Sequence, residues 1–191
     1  MAPCLILTGF MATGKSTVAG LLARRLGWEL IDCDSIVAKR AGKPIAEIFT
    51  EDGEARFRGL EHEAIAELAA RRVRCAQCGR PRPAVISTGG GALLDACNAA
   101  HLNALGAVAC LEARPDVIVR RLGGEASGRP KLAEGSGSLA ERVARLLEAR
   151  RSAYARVSFA VDTSDLEVEQ VADAVLEAFA AWKRERCGTF R

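Results

Sequence analysis

Apolar residues along this chain fall into two alternating kinds of segment. Short, near-continuous apolar runs mark Cys4–Thr8, Ala84–Thr88 and Ala107–Glu112, with shorter strand candidates at Glu29–Asp32 and Phe159–Thr163. Runs without polar alternation suit parallel strands covered on both faces. Between them, apolar positions recur at helical spacing, as in Ser16–Leu26, where Val18, Leu21, Leu22 and Leu26 share one face. The same spacing predicts helices over Asp34–Ala41, Gly53–Arg72, Asp95–Leu105, Pro115–Leu122, Ser138–Val157 and Val168–Arg184, with Pro115 at a first-turn position that tolerates it. This βα rhythm implies an α/β fold: a five-stranded parallel sheet with helices on both sides, three layers deep. Catalytic loops are then expected at the carboxyl ends of the strands. The whole chain, residues 1–191, is expected to form one domain.

Two stretches break the rhythm. Residues 123–137 (GGEASGRPKLAEGSG) are glycine-rich and polar, and Arg129 and Lys131 flank Pro130 within them. A solvated linker is one reading; beside a nucleotide site, a mobile lid is the better one. The second stretch, residues 75–83, is a loop holding Cys75-x-x-Cys78.

The chemistry begins at the end of the first run. Gly9-Phe10-Met11-Ala12-Thr13-Gly14-Lys15-Ser16 matches G-x-x-x-x-G-K-[ST] between a strand and a helix, with Thr17 following. The backbone N–H groups of such a loop, with the helix N-terminus behind them, cradle a polyphosphate. Lys15 is placed to reach the β- and γ-phosphates of ATP or GTP, and the Ser16 hydroxyl to ligate Mg2+. Phosphoryl transfer asks mainly for positioning and charge neutralisation. Asp32 and Asp34 end the second strand, where alternation puts both on one side near the loop mouth. One can serve the magnesium shell and the other accept a proton from an acceptor hydroxyl. The alternative is a surface pair in which Asp34 caps the next helix.

Arg58 and Glu61 share a helix face three residues apart. They form either an exposed ion pair or a guanidinium fork for a substrate carboxylate with Glu61 holding it; spacing alone leaves the two readings even. Thr88-Gly89-Gly90-Gly91 at the end of the third strand lets backbone amides approach a ligand closely. Arg150, four residues before Tyr154, reads by itself as a solvated arginine more readily than as a ligand.

Composition narrows the class. A 49% apolar and 27% charged chain is ordinary for a soluble globular protein, and a net charge of +3 is too small to argue for nucleic acid as partner. No apolar run approaches membrane-span length, and a phosphate loop at residue 9 leaves no room for a signal peptide. Seven cysteines, an odd number, in an ATP-using chain point to a reducing cytoplasm.

Taken together the segments resemble shikimate kinase. The resemblance spans roughly residues 5–157 and rests on the phosphate loop, Asp32-x-Asp34, Gly53-Glu54-x-x-Phe57-Arg58-x-x-Glu61, Thr88-Gly89-Gly90-Gly91, Arg129-Pro130-x-Leu132 and Arg150-x-x-x-Tyr154. It implies a P-loop kinase fold of the nucleoside-monophosphate-kinase type, acting as a monomer on a small molecule. The implied reaction moves the γ-phosphoryl of ATP to the 3-hydroxyl of shikimate, giving shikimate 3-phosphate for aromatic amino-acid biosynthesis. Asp34 would bind the shikimate hydroxyls and accept the proton. Arg58 and Arg150 would grip the carboxylate, with Gly89, Gly90 and Gly91 lining the same pocket. Arg129 would arrive with the lid, Arg121 would lie over adenine, and Asp32 would support magnesium through water.

The sequence departs from the family pattern in three places. Ala12 replaces the usual glycine, which a negative φ would permit. Residues 164–168 (SDLEV) stand where a proline usually meets adenine, and the loop over 75–83 is long. Cys75, Cys78, Cys97 and His101 could hold a structural Zn2+, although reduced thiols and a buried helical cysteine are the favoured reading. The rival functions are another metabolite kinase of this fold, such as a gluconate kinase, or a catalytically silent nucleotide-gated binding protein.

Overall fold

The computed structural model describes residues 4–71, 82–123 and 137–188. Five parallel strands, β1 (Cys4–Gly9), β2 (Glu29–Asp32), β3 (Ala84–Ser87), β4 (Gly106–Glu112) and β5 (Phe159–Asp162), pair in the order β2-β3-β1-β4-β5. Register places Leu7 beside Ser87 on one side and Ala109 on the other. The carboxyl ends of β1 and β3 therefore open next to one another, at the point where successive connections run to opposite sides of β1.

The longer helices are α1 (Lys15–Leu26), α2 (Cys33–Ala41), α3 (Gly53–Arg71), α4 (Ala96–Leu105), α5 (Pro115–Arg121), α6 (Leu139–Tyr154) and α7 (Val168–Gly188). Strand alternation sorts the core into two layers. Leu5, Leu7, Val85, Ala107, Ala109 and Leu111 face α1 and α7, meeting Val18, Leu22, Val175 and Phe179. Cys4, Ile6, Ile86, Val108 and Cys110 face the other way, meeting Ile65 of α3, Leu102 of α4 and Ala153 and Tyr154 of α6. Strands β1 and β3 are buried throughout, as their uninterrupted apolar runs require.

Three local features differ from the sequence expectation. Helix α2 begins at Cys33, because Asp32 rather than Asp34 is the cap: its Oδ1 accepts the backbone N–H groups of Asp34 at 3.0 Å and Ser35 at 3.4 Å. A three-residue helix, Ile45–Glu47, runs into a π-turn, Ile48–Asp52, where no element was expected. Ile48 seats that turn in a small apolar cluster with Val37, Phe57 and Leu60. Helix α6 closes at Tyr154, earlier than the Val157 expected, and starts on a capping box between Ser138 and Glu141. The expected Cys-containing loop lies outside the described residues except for its last two positions. Of the expected lid only Gly123 and Gly137 are described, both at positive φ.

Candidate active site

The loop between β1 and α1 is built on left-handed backbone. Gly9, Ala12 and Gly14 have φ of 135°, 61° and 90°. At Gly9 a Cβ would collide with the Leu111 carbonyl of β4, so this position admits only glycine. Ala12 is the one residue other than glycine with positive φ among the described residues, which corrects the expectation of a negative value. Its methyl is held in a conformation that costs an L-residue roughly 1 kcal/mol. Gly14 caps α1 without a side-chain hydrogen bond, and the first turn holds no acidic residue. The N–H groups of Lys15, Ser16 and Thr17 thus lack intrahelical acceptors, and nothing anionic from the helix competes for them. Thr13 is buried and its Oγ1 donates to Phe10 O at 2.8 Å, while Lys15 Nζ donates to the same oxygen at 2.7 Å.

This loop forms one wall of a cavity of about 450 Å³ lined by Met11, Ala12, Gly14, Lys15, Ser16 and Thr17. Asp34, Arg58, Gly89, Gly90, Gly91 and Arg150 complete it, so residues scattered from position 11 to position 150 enclose a single space. Ile45, Phe49, Phe57 and Thr88 add wall positions that the sequence reading did not select. Phe57 belonged to a quoted motif. Ile45 and Phe49 lie in the short helix and π-turn, which carry no periodic signal.

Asp34 sits in the first turn of α2 with Oδ1 buried and without a hydrogen-bond partner. Burial, and then the Asp32 charge, raise its pKa above the usual carboxylate value, while Lys15 and Arg58 pull it down. Its neighbour Asp32 points back along the helix start and does not line the cavity. Strand alternation is therefore not what brings Asp34 to the site; the turn into α2 does.

Arg58 and Glu61 are not an exposed pair. Glu61 is only 1% exposed, and its Oε2 accepts from Arg58 Nη1 at 2.5 Å. Arg58 reaches more loosely to Glu54, at 3.4 Å. Burial pushes the Glu61 carboxyl above its ordinary pKa, against the pull of Arg58. The exposed-pair alternative is set aside: Glu61 is buried and holds the guanidinium against the cavity wall.

The triple glycine is where these groups meet. A Cβ on Gly89 would lie 2.7 Å from Glu61 Oε1 and 3.0 Å from Asp34 Oδ1. On Gly90 it would lie 2.8 Å from Gly9 O, and on Gly91 2.8 Å from Arg58 Cζ. Gly90 and Gly91 have ordinary negative-φ or extended backbone, so it is close approach and not turn geometry that demands three glycines. Arg150 is 5% exposed; its Nη1 donates to Gly90 O at 3.1 Å and its guanidinium lies 5.1 Å over the Phe10 ring. The reading of Arg150 as a solvated helix arginine is thereby overturned.

Some expected site residues stand apart. Arg121 anchors α5 to the end of β5, donating to Thr163 Oγ1 at 2.9 Å and Thr163 O at 2.5 Å, with a longer reach of 3.5 Å to Ala12 O. It borders the phosphate loop without lining the cavity. The segment after β5 is pinned by its own polar groups: Ser164 N and Oγ donate to Asp162 Oδ1, and Arg114 clasps both carboxylate oxygens of Asp165. Arg129 lies outside the described residues, as do Cys75 and Cys78. Of the other two proposed zinc ligands, Cys97 is exposed and His101 has a buried Nδ1 without a partner. Among the described residues, no group of three or more His, Cys, Asp or Glu could hold a metal ion. None of the described helices is long and apolar enough to cross a membrane.

The matching family model and the curated relatives agree on one family, whereas the fold alone extends to a gluconokinase from Sinorhizobium meliloti, with a TM-score of 0.60 at 17% identity. The family model described as "SKI: Shikimate kinase" matches residues 11–180. The shikimate kinase of Moorella thermoacetica is 40% identical over 178 residues, covering 93% of this chain and 95% of that protein. The Geobacter sulfurreducens shikimate kinase is 44% identical over 167 residues, covering 87% and 85%. Among solved structures, shikimate kinase from Acinetobacter baumannii in complex with shikimate superposes with a TM-score of 0.81 at 27% identity, covering 95% of this chain and 94% of that one.

Proposed function

The chain belongs to the shikimate kinase family, and from that premise we propose how its residues move a phosphoryl group from ATP to the 3-hydroxyl of shikimate. The observation that carries the assignment is the shared cavity: a phosphate-binding helix terminus, one carboxylate with a buried unpaired oxygen, and two arginines held from opposite sides. The polyphosphate of ATP occupies the backbone of Gly9–Gly14 and the N-terminus of α1, with Lys15 against its β- and γ-phosphates. Arg58 and Arg150 take the shikimate carboxylate, which leaves the ring hydroxyls toward Asp34.

Asp34 accepts the proton of the 3-hydroxyl as that oxygen forms its bond to the γ-phosphorus. The bond from the γ-phosphorus to the bridging oxygen breaks, and ADP leaves with the electron pair. Arg129 neutralises charge on the phosphoryl in transit, and Arg121 contributes to the adenine side of the site. Ser16 and Asp32 offer only oxygen donors, the type magnesium takes. Because Asp32 Oδ1 already accepts two backbone N–H groups, its share in holding the ion runs through water. When bound, Mg2+ supplies charge neutralisation on the β- and γ-phosphates. The same reading takes the chain as a single domain acting as a monomer in the cytoplasm. Cys4, Cys33, Cys97 and Cys110 are free thiols, which suits a reducing compartment.

Isothermal titration tests the carboxylate assignment. Arg58→Ala and Arg150→Ala each weaken shikimate binding by about 1.5–3 kcal/mol, the worth of a charged hydrogen bond, and leave ATP affinity unchanged. If either variant loses ATP affinity instead, or binds shikimate as the parent does, the assignment fails. Gluconate and nucleoside monophosphates are the controls, and neither should release ADP.

A further inference from the structure

Tyr154 has no role in the chemistry above and does not line the cavity, yet its hydroxyl reaches Gly90, which does. It is the last residue of α6, one turn beyond Arg150, so the two side chains project from the same face. The ring is buried in the layer containing Cys110, Leu93 and Ala153. The hydroxyl emerges from that layer and donates to Gly90 O at 2.6 Å. Gly90 O also accepts from Arg150 Nη1, at 3.1 Å. The phenol and the guanidinium therefore meet at one carbonyl oxygen.

We propose that Tyr154 is the positioning residue for Arg150, fixing through the shared Gly90 carbonyl the angle at which the guanidinium meets the substrate carboxylate. This rests on the assignment of Arg150 to that carboxylate. Arg150 is otherwise located by the face of Phe10, a contact that sets its height over the ring but not its rotation. A fork recognises a carboxylate only in the right plane, and an acceptor carbonyl pinned by a second donor fixes where one guanidinium nitrogen sits. Tyr154 supplies the rigid end, because its ring is locked by packing while an arginine stem has many rotamers. Burial raises the phenol pKa to about 12, so the donor keeps its proton throughout the working range. The carbonyl that both groups share belongs to the residue whose Cα packs on Gly9 O of the phosphate loop, so the shared carbonyl also ties the carboxylate site to the nucleotide site.

The test compares the parent, Tyr154→Phe, Arg150→Ala and the double variant, using shikimate and its analogue with CH2OH in place of the carboxylate. Tyr154→Phe keeps the buried ring and leaves Gly90 O bonded to Arg150, so the fold is retained. The KM for shikimate rises about tenfold while kcat and the KM for ATP stay within about twofold. With the analogue, Tyr154→Phe and parent behave alike, and in the Arg150→Ala background the tyrosine substitution has no further effect. An equal penalty with the analogue, an additive double variant, or a lowered unfolding midpoint with an unchanged shikimate KM overturns the inference. The Arg150 assignment has its own arm. If Arg150→Ala penalises shikimate and the analogue equally, that assignment falls and takes the positioning role with it. If Arg150→Ala discriminates between them and Tyr154→Phe does not, only the positioning role falls.

Discussion

Replacing Asp34 by asparagine moves stability and activity in opposite directions. One oxygen of this carboxylate is buried with no hydrogen-bond partner. The carboxyl titrates above its ordinary value of 3.8, first through burial and then through Asp32. A folded-state pKa above the unfolded one means that the folded protein holds the proton more tightly. Below the unfolded value both states are protonated and the charge costs nothing. As pH rises through the window between the two values the folded state loses stability, and above the folded value the cost is complete. An unsatisfied buried acceptor costs about 1–3 kcal/mol. The attraction of Lys15 and Arg58 offsets part of that cost. Asp34→Asn removes the buried charge, and with it the extra cost of burying it and the attraction of Lys15 and Arg58, for a net gain of about 1 kcal/mol at neutral pH, or about 2–4 °C in the unfolding midpoint of a domain this size. Catalysis loses its proton acceptor, and kcat falls about 10²–10⁴-fold. Scanning calorimetry across the acidic range and an ADP-release assay on the same preparations check both halves. The stabilisation should shrink as pH is lowered toward the ordinary carboxylate value. A lower midpoint at neutral pH, a difference independent of pH, or an intact kcat would each refute the reasoning.

Two further substitutions probe the backbone. Ala12→Gly releases the left-handed strain at φ 61° and raises the unfolding midpoint by about 2–4 °C, the worth of roughly 1 kcal/mol; a lower midpoint would mean that the methyl makes packing contacts worth more than the strain. Gly90→Ala sets a Cβ 2.8 Å from Gly9 O and 3.3 Å from Arg150 Nη1, and the first neighbour is backbone that cannot swing away. Overpacking of that kind costs about 1–3 kcal/mol, so kcat/KM for shikimate drops about tenfold or more. Steady-state kinetics matching the parent would show that the two loops do not approach so closely.

Much of this was legible in the sequence, for reasons that can be traced residue by residue. Strands β1, β3 and β4 are covered on both faces, so polar residues are confined to their carboxyl ends and the runs stand out. The phosphate loop is legible because its chemistry resides in the backbone, and backbone demands appear as glycines at fixed spacing. What depends on tertiary contact was not legible. Spacing put Arg58 and Glu61 on one face, but only packing against the triple glycine removes Glu61 from water. Arg150 reads as one of several helix arginines until Phe10 and Gly90 O are found beneath it. Ile45 and Phe49 escaped notice because a three-residue helix and a π-turn repeat nothing. The strand rule placed Asp32 and Asp34 together for the wrong reason: the helix starts between them, and the first carboxylate caps it while the second enters the site.

That division between the two aspartates explains how adjacent like charges are tolerated beside one another. Asp32 gives its Oδ1 to two backbone N–H groups, so its negative charge is neutralised by the start of α2, where the helix dipole favours an anion. Asp34 receives no such compensation at Oδ1, and neither does Glu61 at Oε1; both oxygens face Gly89. Leaving an acceptor dry is unfavourable in the folded chain, and a hydroxyl-bearing substrate that donates to Asp34 recovers the loss on binding. A larger residue at position 89 would fill the space and relieve nothing, since a methyl group offers no donor. The glycine therefore keeps open a small volume whose walls prefer a donor to an apolar group. On the proposed roles of Arg58 and Arg150, a polyhydroxylated ring held by its carboxylate presents hydroxyls to those walls, whereas an apolar carboxylate of the same size does not.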